Sequence, residues 1–417
     1  MDQQATPALQ AYKLSLPRWE FITLAAALMA LNALAIDIML PGLQQIGASL
    51  GVENENHRQY VITAYIAGFG IAQLAFGPLS DRFGRRPPLL FGLGVYVAAA
   101  LGAAFAPSFT TLLILRVVQG MGAAATRVIT VSIIRDVFGG RAMAEVMSLV
   151  FMVFMVIPVV APGLGQIVML FSEWHMIFVI MALIALAFTV WTAFRLPETL
   201  HPEYRRAFDL RTIVGGFRIV LTNRVSLCYT LATTSVFGAL FGFINSAQQI
   251  YVGIYGLGVW FPVVFAAIAG MMAVSSFANA RLVGRFGMRK LSHGALVSFI
   301  TITTIWFVLS LFGQLPIYVF VPLFAIAMLA FGWIGSNFNS IAMEPLGHLA
   351  GTASSIQGFM QTVGGGLIGA TIGQLFDGTT TPLAAGFCAV SVTALVFVLI
   401  AERGRLFQPH NQPKASG

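Results

Sequence analysis

Apolar residues run through this chain in long unbroken blocks, divided by short polar stretches. Twelve blocks can be drawn, at 19–43, 58–79, 88–107, 111–134, 145–170, 174–196, 226–250, 257–278, 291–313, 316–340, 354–375 and 382–401. A helix needs about 20 residues to cross a hydrocarbon core about 30 Å thick. The blocks are continuous rather than alternating, so they predict helices and not barrel strands. The expected fold is all-α integral membrane, with twelve transmembrane helices in two pseudo-symmetric six-helix bundles. The longest polar interval, Arg195 to Arg224, divides them. The domains expected are an N-terminal segment 1–18, a bundle 19–196, a linker 197–224 with an amphipathic helix on the membrane, a second bundle 225–402, and a disordered tail 403–417.

Polar residues between the second and third blocks carry the clearest motif, Gly77-Pro78-Leu79-Ser80-Asp81-Arg82-Phe83-Gly84-Arg85-Arg86-Pro87. A weaker copy follows the eighth block, at Gly284-Arg285-Phe286-Gly287-Met288-Arg289-Lys290, at a constant offset of 203 positions. That offset is close to half of 417 residues, so the chain reads as two related halves.

Composition supports this picture. The chain is 58% hydrophobic and 9% charged, too few charges to cover soluble domains of this length. Twenty of the 23 Lys and Arg residues fall on the side of the two termini, and only Arg58 falls in a loop on the other. By the positive-inside rule both termini are expected in the cytoplasm of a bacterial inner-membrane protein. The net charge of +8 is thereby spent on topology, and no nucleic-acid partner is expected. The first block is too long for a secretory signal and is read as a span. Cys228 and Cys388 lie within blocks, so no disulfide is expected. All six histidines fall in loops, tails or helix ends, there is no phosphate-binding G-x-x-x-x-G-K-[ST] loop, and no catalytic motif occurs. No metal, cofactor or enzymatic activity is expected.

The motif at 77–87, Leu115-Arg116-Val117-Val118-Gln119-Gly120, Pro158 to Gly165, Ile36-Asp37-Ile38-Met39-Leu40-Pro41 and Gly351-Thr352-Ala353-Ser354-Ser355 together resemble the major facilitator superfamily. They are most similar to its twelve-span drug:proton antiporter branch, of the bicyclomycin/chloramphenicol-resistance type. The resemblance implies proton-coupled efflux of small drug-like molecules by alternating access, driven by the proton gradient and carried out by a monomer. Each charge entering is worth about 2.3 kcal/mol per 100 mV. It also implies that Pro158, Pro162, Gly163 and Gly165 form the exporter motif of the fifth span. Here the sequence departs from the family, with Ala161-Pro162 for the usual Gly-Pro and Gly165-Gln166 for the usual double glycine. An exporter or importer of a specific metabolite or anion on the same fold is the alternative.

Intramembrane charges are the candidate chemistry, since each costs at least about 2.5 kcal/mol at the bilayer centre. Of fifteen acidic residues only Asp37 lies well inside a span, and Arg116 lies at matching depth. A charge pair between them is expected. Desolvation favours the neutral carboxyl and an arginine the charged one, a balance that suits reversible proton binding. The resemblance implies proton coupling at Asp37 and Arg116; a permanent structural ion pair is the other reading. Arg127 stands eleven positions after Arg116, about 20° away on a helical projection and about 16 Å along the axis. The family usually has a small residue there. Arg127 is expected to serve substrate or coupling, or else to pair with a backbone carbonyl or Asp136. Two arginines against one aspartate favour anionic or neutral compounds.

Asn32, Tyr65, Gln119, Met152, Met155, Asn245, Gln248, Asn337 and Gln361 are expected to line the cavity between the halves, and Met152 and Met155 to adapt to varied shapes. In the loop at 77–87, Gly77 and Gly84 permit tight turning, and Asp81 is expected to accept from a neighbouring helix N-terminus or Arg141. Arg82, Arg85 and Arg86 set topology, and Arg85 and Arg86 also reach acidic or carbonyl partners. The group is expected to act as a gating latch.

Overall fold

The computed structural model describes residues 16–138, 140–205 and 210–408, and among these the regular structure is entirely helical. Ten helical stretches of the described residues are long and apolar enough to cross a membrane. Numbering the helices that fall on the twelve expected blocks in chain order, the first half holds α1 (Arg18–Asp37), α2 (Tyr60–Phe83), α3 (Arg86–Ala104), α4 (Phe109–Val137), α5 (Gly140–Phe171) and α6 (His175–Arg195). The second half holds α7 (Arg224–Gln248), α8 (Phe261–Phe286), α9 (Met288–Ser310), α10 (Ile317–Met343), α11 and α12 (Thr381–Ala401). α11 is built of three consecutive pieces, Ala350–Phe359, a π turn at Met360–Gly364, and Gly365–Gln374. Gln357 and Gln361 sit on it, both buried. The expected linker helix is present at Leu210–Thr222, where Phe217 packs edge-on against Phe359 of α11, with ring centroids 6.0 Å apart. The expected N-terminal segment and disordered tail fall largely on 1–15 and 409–417, outside the described residues.

Packing repeats between the halves. α1 packs on α5 as α7 packs on α11; α3 packs on α6 as α9 packs on α12; α2 and α3 pack on α4 as α8 and α9 pack on α10. The halves meet through two symmetric contacts, α2 with α11 and α5 with α8. The second half is centred on Trp306, whose ring lies 5.4 Å from Phe387 and 5.5 Å from Phe320, tying α9 to α12 and α10. Such aromatic contacts give packing energy that lipid cannot replace.

The motif expected as a loop is mostly helix. α2 runs through Pro78 to Phe83, so Gly77, Asp81 and Arg82 lie in its last turns. Only Gly84 and Arg85 separate α2 from α3. Gly84 has φ +94° and Gly287 has φ +81°, a left-handed conformation that ends each preceding helix without steric cost. The shared conformation at the shared offset is local evidence for the duplication.

Candidate functional site: the buried polar groups of the two bundles

α1 ends at Asp37, and the chain turns through Ile38 and Met39 into a short helical extension, Leu40–Gly42 and Leu43–Ser49. α5 seats against this break. A side-chain carbon at Gly165 would stand 2.1 Å from the Ile38 carbonyl oxygen, so only glycine lets the helices approach this closely. Pro158 and Pro162 lie within the helix, and Gly163 faces open space. One glycine of the exporter motif therefore fixes the backbone beside Asp37.

Asp37 is 4% exposed. The expected Asp37–Arg116 ion pair is not formed, and among the described residues Asp37 has neither an ion pair nor a hydrogen bond. Arg116, fully buried, spends its donors elsewhere: Nε on the Val61 carbonyl (3.0 Å), Nη1 on Gln119 Oε1 (2.8 Å) and Nη2 on the Ala35 carbonyl (3.0 Å). Its guanidinium also lies 4.5 Å from the Tyr65 ring centroid. The physical reason is supply. The last turn of α1 leaves the Ala35 carbonyl without a helical partner, the Val61 carbonyl offers its second lone pair, and a five-donor fork reaches both. Tyr65 then donates to Asn32 Oδ1 at 3.0 Å. Asn32, Tyr65, Arg116 and Gln119 thus form one chain of contacts that reaches Ala35, two residues from Asp37.

Arg127 is half-buried and, among the described residues, has no hydrogen bond or ion pair. The pairing with Asp136 does not occur, because Asp136 is already held by Arg85 and Thr199. In the second half, Asn337 donates to Asn279 Oδ1 (2.7 Å) and Gln361 to Asn339 Oδ1 (2.5 Å). Gln248 reaches Gln44 of the first half at 3.4 Å. Asn245 is buried with neither amide atom paired. Met152 is 64% exposed, and the side chain of Met155 falls outside those described.

The charged group on the face of the termini is a closed network. Arg85 binds Asp136 through Nε (2.7 Å), Asp81 through Nη1 (2.6 Å) and Ser80 through Nη1 (2.9 Å). Burial works against the Arg85 charge, and Asp136 and Asp81 outweigh it, so the guanidinium is held above its usual range. Asp81 does not cap a helix, as had been expected; Glu198 does. Its carboxylate accepts from the backbone N–H of Arg85 (2.7 Å) and of Arg86 (3.1 Å) at the positive end of α3. Arg86 donates to the Ala193 carbonyl at the end of α6. Arg82 is exposed and lies over Phe83, 5.3 Å from its ring centroid. Arg141 has its side chain outside those described.

The second half repeats the design. Arg289 binds Glu402 (2.8 Å), just past α12, and Glu344 (2.9 Å), just past α10. Sequence reading offered Asp136 to Arg127 and not to Arg85, and missed Glu198, Glu344 and Glu402 as acceptors. A signal existed: in each half an acid follows the fourth and the sixth span, and Glu198 and Glu402 stand 204 positions apart, close to the repeat offset.

The whole chain is similar to known proteins. The chain is 31% identical over 391 residues to the bicyclomycin resistance protein homolog of Haemophilus influenzae, covering 92% of this chain and 96% of that protein. It is 29% identical over 398 residues to the multidrug resistance protein MdtL of Escherichia coli (strain K12 / DH10B), covering 94% and 98%. Among solved structures, the xylose transporter XylE from E. coli, in a partially occluded inward open conformation, superposes with a TM-score of 0.69 at 14% identity, covering 90% of this chain and 96% of that one. The family model described as Major Facilitator Superfamily matches residues 22–370, and the chain belongs to that superfamily of membrane transporters.

Proposed function

We propose that this transporter is a proton-driven exporter of small drug-like molecules, working as a monomer in the bacterial inner membrane with both termini in the cytoplasm. The observation that carries the reading is Asp37, buried at the broken end of α1 with no cationic partner among the described residues. A carboxylate held there charged and unpaired is costly, so a proton is its natural counterpart. Arg116 does not neutralise it directly but holds the Ala35 carbonyl, which ties the end of α1 to α2 and α4. Proton uptake at Asp37 on the outer side would release substrate, and proton loss to the cytoplasm would reset the cycle. Relatives named for bicyclomycin and multidrug resistance support drug-like cargo.

The test is substrate-induced proton release from purified protein, wild type against Asp37→Asn, over neutral, anionic and cationic antibiotics. Release by the wild type and none by Asp37→Asn is expected. Undiminished release from Asp37→Asn would remove Asp37 from the coupling. A second reading, transport of anions, is favoured by one observation: Arg127 is half-buried on α4 and, among the described residues, has no partner.

A further inference from the structure

Gln59 is 2% exposed at the end of the first half that faces away from the termini, beside the start of α2. It donates across the halves to Gln249 Oε1 and to the Gly373 carbonyl (3.1 Å). Asn56 donates to the carbonyls of Gln374 (3.0 Å) and Phe376 (2.8 Å), and accepts from Gln249 Nε2 (2.7 Å). Gln374 Nε2 returns a bond to the Asn56 carbonyl at 2.7 Å. Every side chain in this group is a carboxamide, and every one of these bonds joins one half to the other. The neighbouring ionisable groups stay within their own half: Arg58 pairs with Glu55 (3.3 Å), His57 stacks on Tyr60, and Asp377 binds Thr379. The charged networks around Arg85 and Arg289 likewise each lie within one half.

We propose that Asn56, Gln59, Gln249 and Gln374 form the outer gate of the transporter, a charge-free carboxamide clasp that holds the pathway shut on the side away from the termini. The clasp carries no proton of its own, so outer pH acts on the cycle through the buried carboxyl and not through the gate. The proposal rests on the alternating-access reading above, and its test is kept separate from proton coupling.

The experiment uses the full chain with Cys228→Ala and Cys388→Ala, spin-labelled at Glu53→Cys and Leu375→Cys in lipid nanodiscs, in an Asp37→Asn background. Inter-half distances are read by double electron–electron resonance at pH 5.5 and 8. The parent is expected to show one short-distance population, equal at both pH values. Gln59→Ala is expected to raise the open-to-closed ratio about fivefold for each hydrogen bond lost. Gln59→Glu is expected to close more fully at pH 5.5, where a protonated carboxyl can donate one of the two bonds the amide made, than at pH 8, where a carboxylate donates neither. Gln249→Ala cuts the clasp from the opposite half and serves if the Gln59 variants do not fold. Distances unmoved by Gln59→Ala or Gln249→Ala would overturn the gate. A pH-dependent distribution with Gln59 intact would overturn its charge-free character.

Discussion

Gly165 and Asp37 set the limits of what single residues can do here. A methyl group at Gly165 would sit 2.1 Å from a backbone oxygen, so α5 and the α1 break must separate to admit it. Gly165→Ala is therefore expected to cost about 1–3 kcal/mol, as overpacking does elsewhere. It should also lower transport more than substitution at Gly163, which faces open space. Thermal melts of both variants beside transport rates check this; equal effects at the two glycines would refute it. Asp37 itself was legible from sequence, because a lone carboxylate inside an apolar block stands out. Its lack of an arginine partner was not. Matching depth places two residues at one height in the membrane but says nothing of direction around each helix. Nor does depth reveal that the Val61 and Ala35 carbonyls compete for the same guanidinium.

At the scale of elements, the short turn between α2 and α3 is held by a carboxylate from beyond α6. Glu198 accepts from two backbone N–H groups that α3 cannot pair internally. Removing it in Glu198→Ala leaves both donors open, and charge-assisted bonds of this kind are worth about 1.5–3 kcal/mol each when well shielded. Glu198 is only half-buried, so the lower end applies. The expected outcome is a lower melting temperature and faster hydrogen exchange at Leu89 and Phe91, with Glu198→Gln intermediate; an unchanged exchange rate would show that the cap is redundant. Helix count, the division into halves and the motif at 84–86 were all readable from apolar block length and glycine placement. The cap was not, because Glu198 lies 113 positions from the turn it closes. The two halves also place their acids differently: Arg85 binds Asp136 in the last turn of α4 and Asp81 in α2, while Arg289 bridges Glu344 and Glu402, just past α10 and α12.

For the whole molecule, the distribution of charge decides what the pathway can accept. Only one acid lies deep in a span, and Arg116 is fully engaged with carbonyls and Gln119. Arg127 is the partly buried cation on α4 that, among the described residues, has no hydrogen bond or ion pair. An unpaired guanidinium that is half-buried keeps part of its hydration, so its field is weaker than a dry charge but stronger than a surface one. Facing the pathway, as the anion reading proposes, it would attract anions and repel cations, while neutral compounds would feel it little. Arg127→Leu is accordingly expected to reduce transport of an anionic compound about tenfold relative to a neutral one, and to admit lipophilic cations that the wild type excludes. Paired flux measurements in proteoliposomes at fixed pH give the ratio directly. Proton release dependent on Asp37 should persist in the variant, because selection and coupling are assigned to different residues. If Arg127→Leu abolished proton release while leaving the anion-to-neutral ratio unchanged, Arg127 would belong to the coupling machinery, and the pathway's preference would have to come from the amide side chains of the second half.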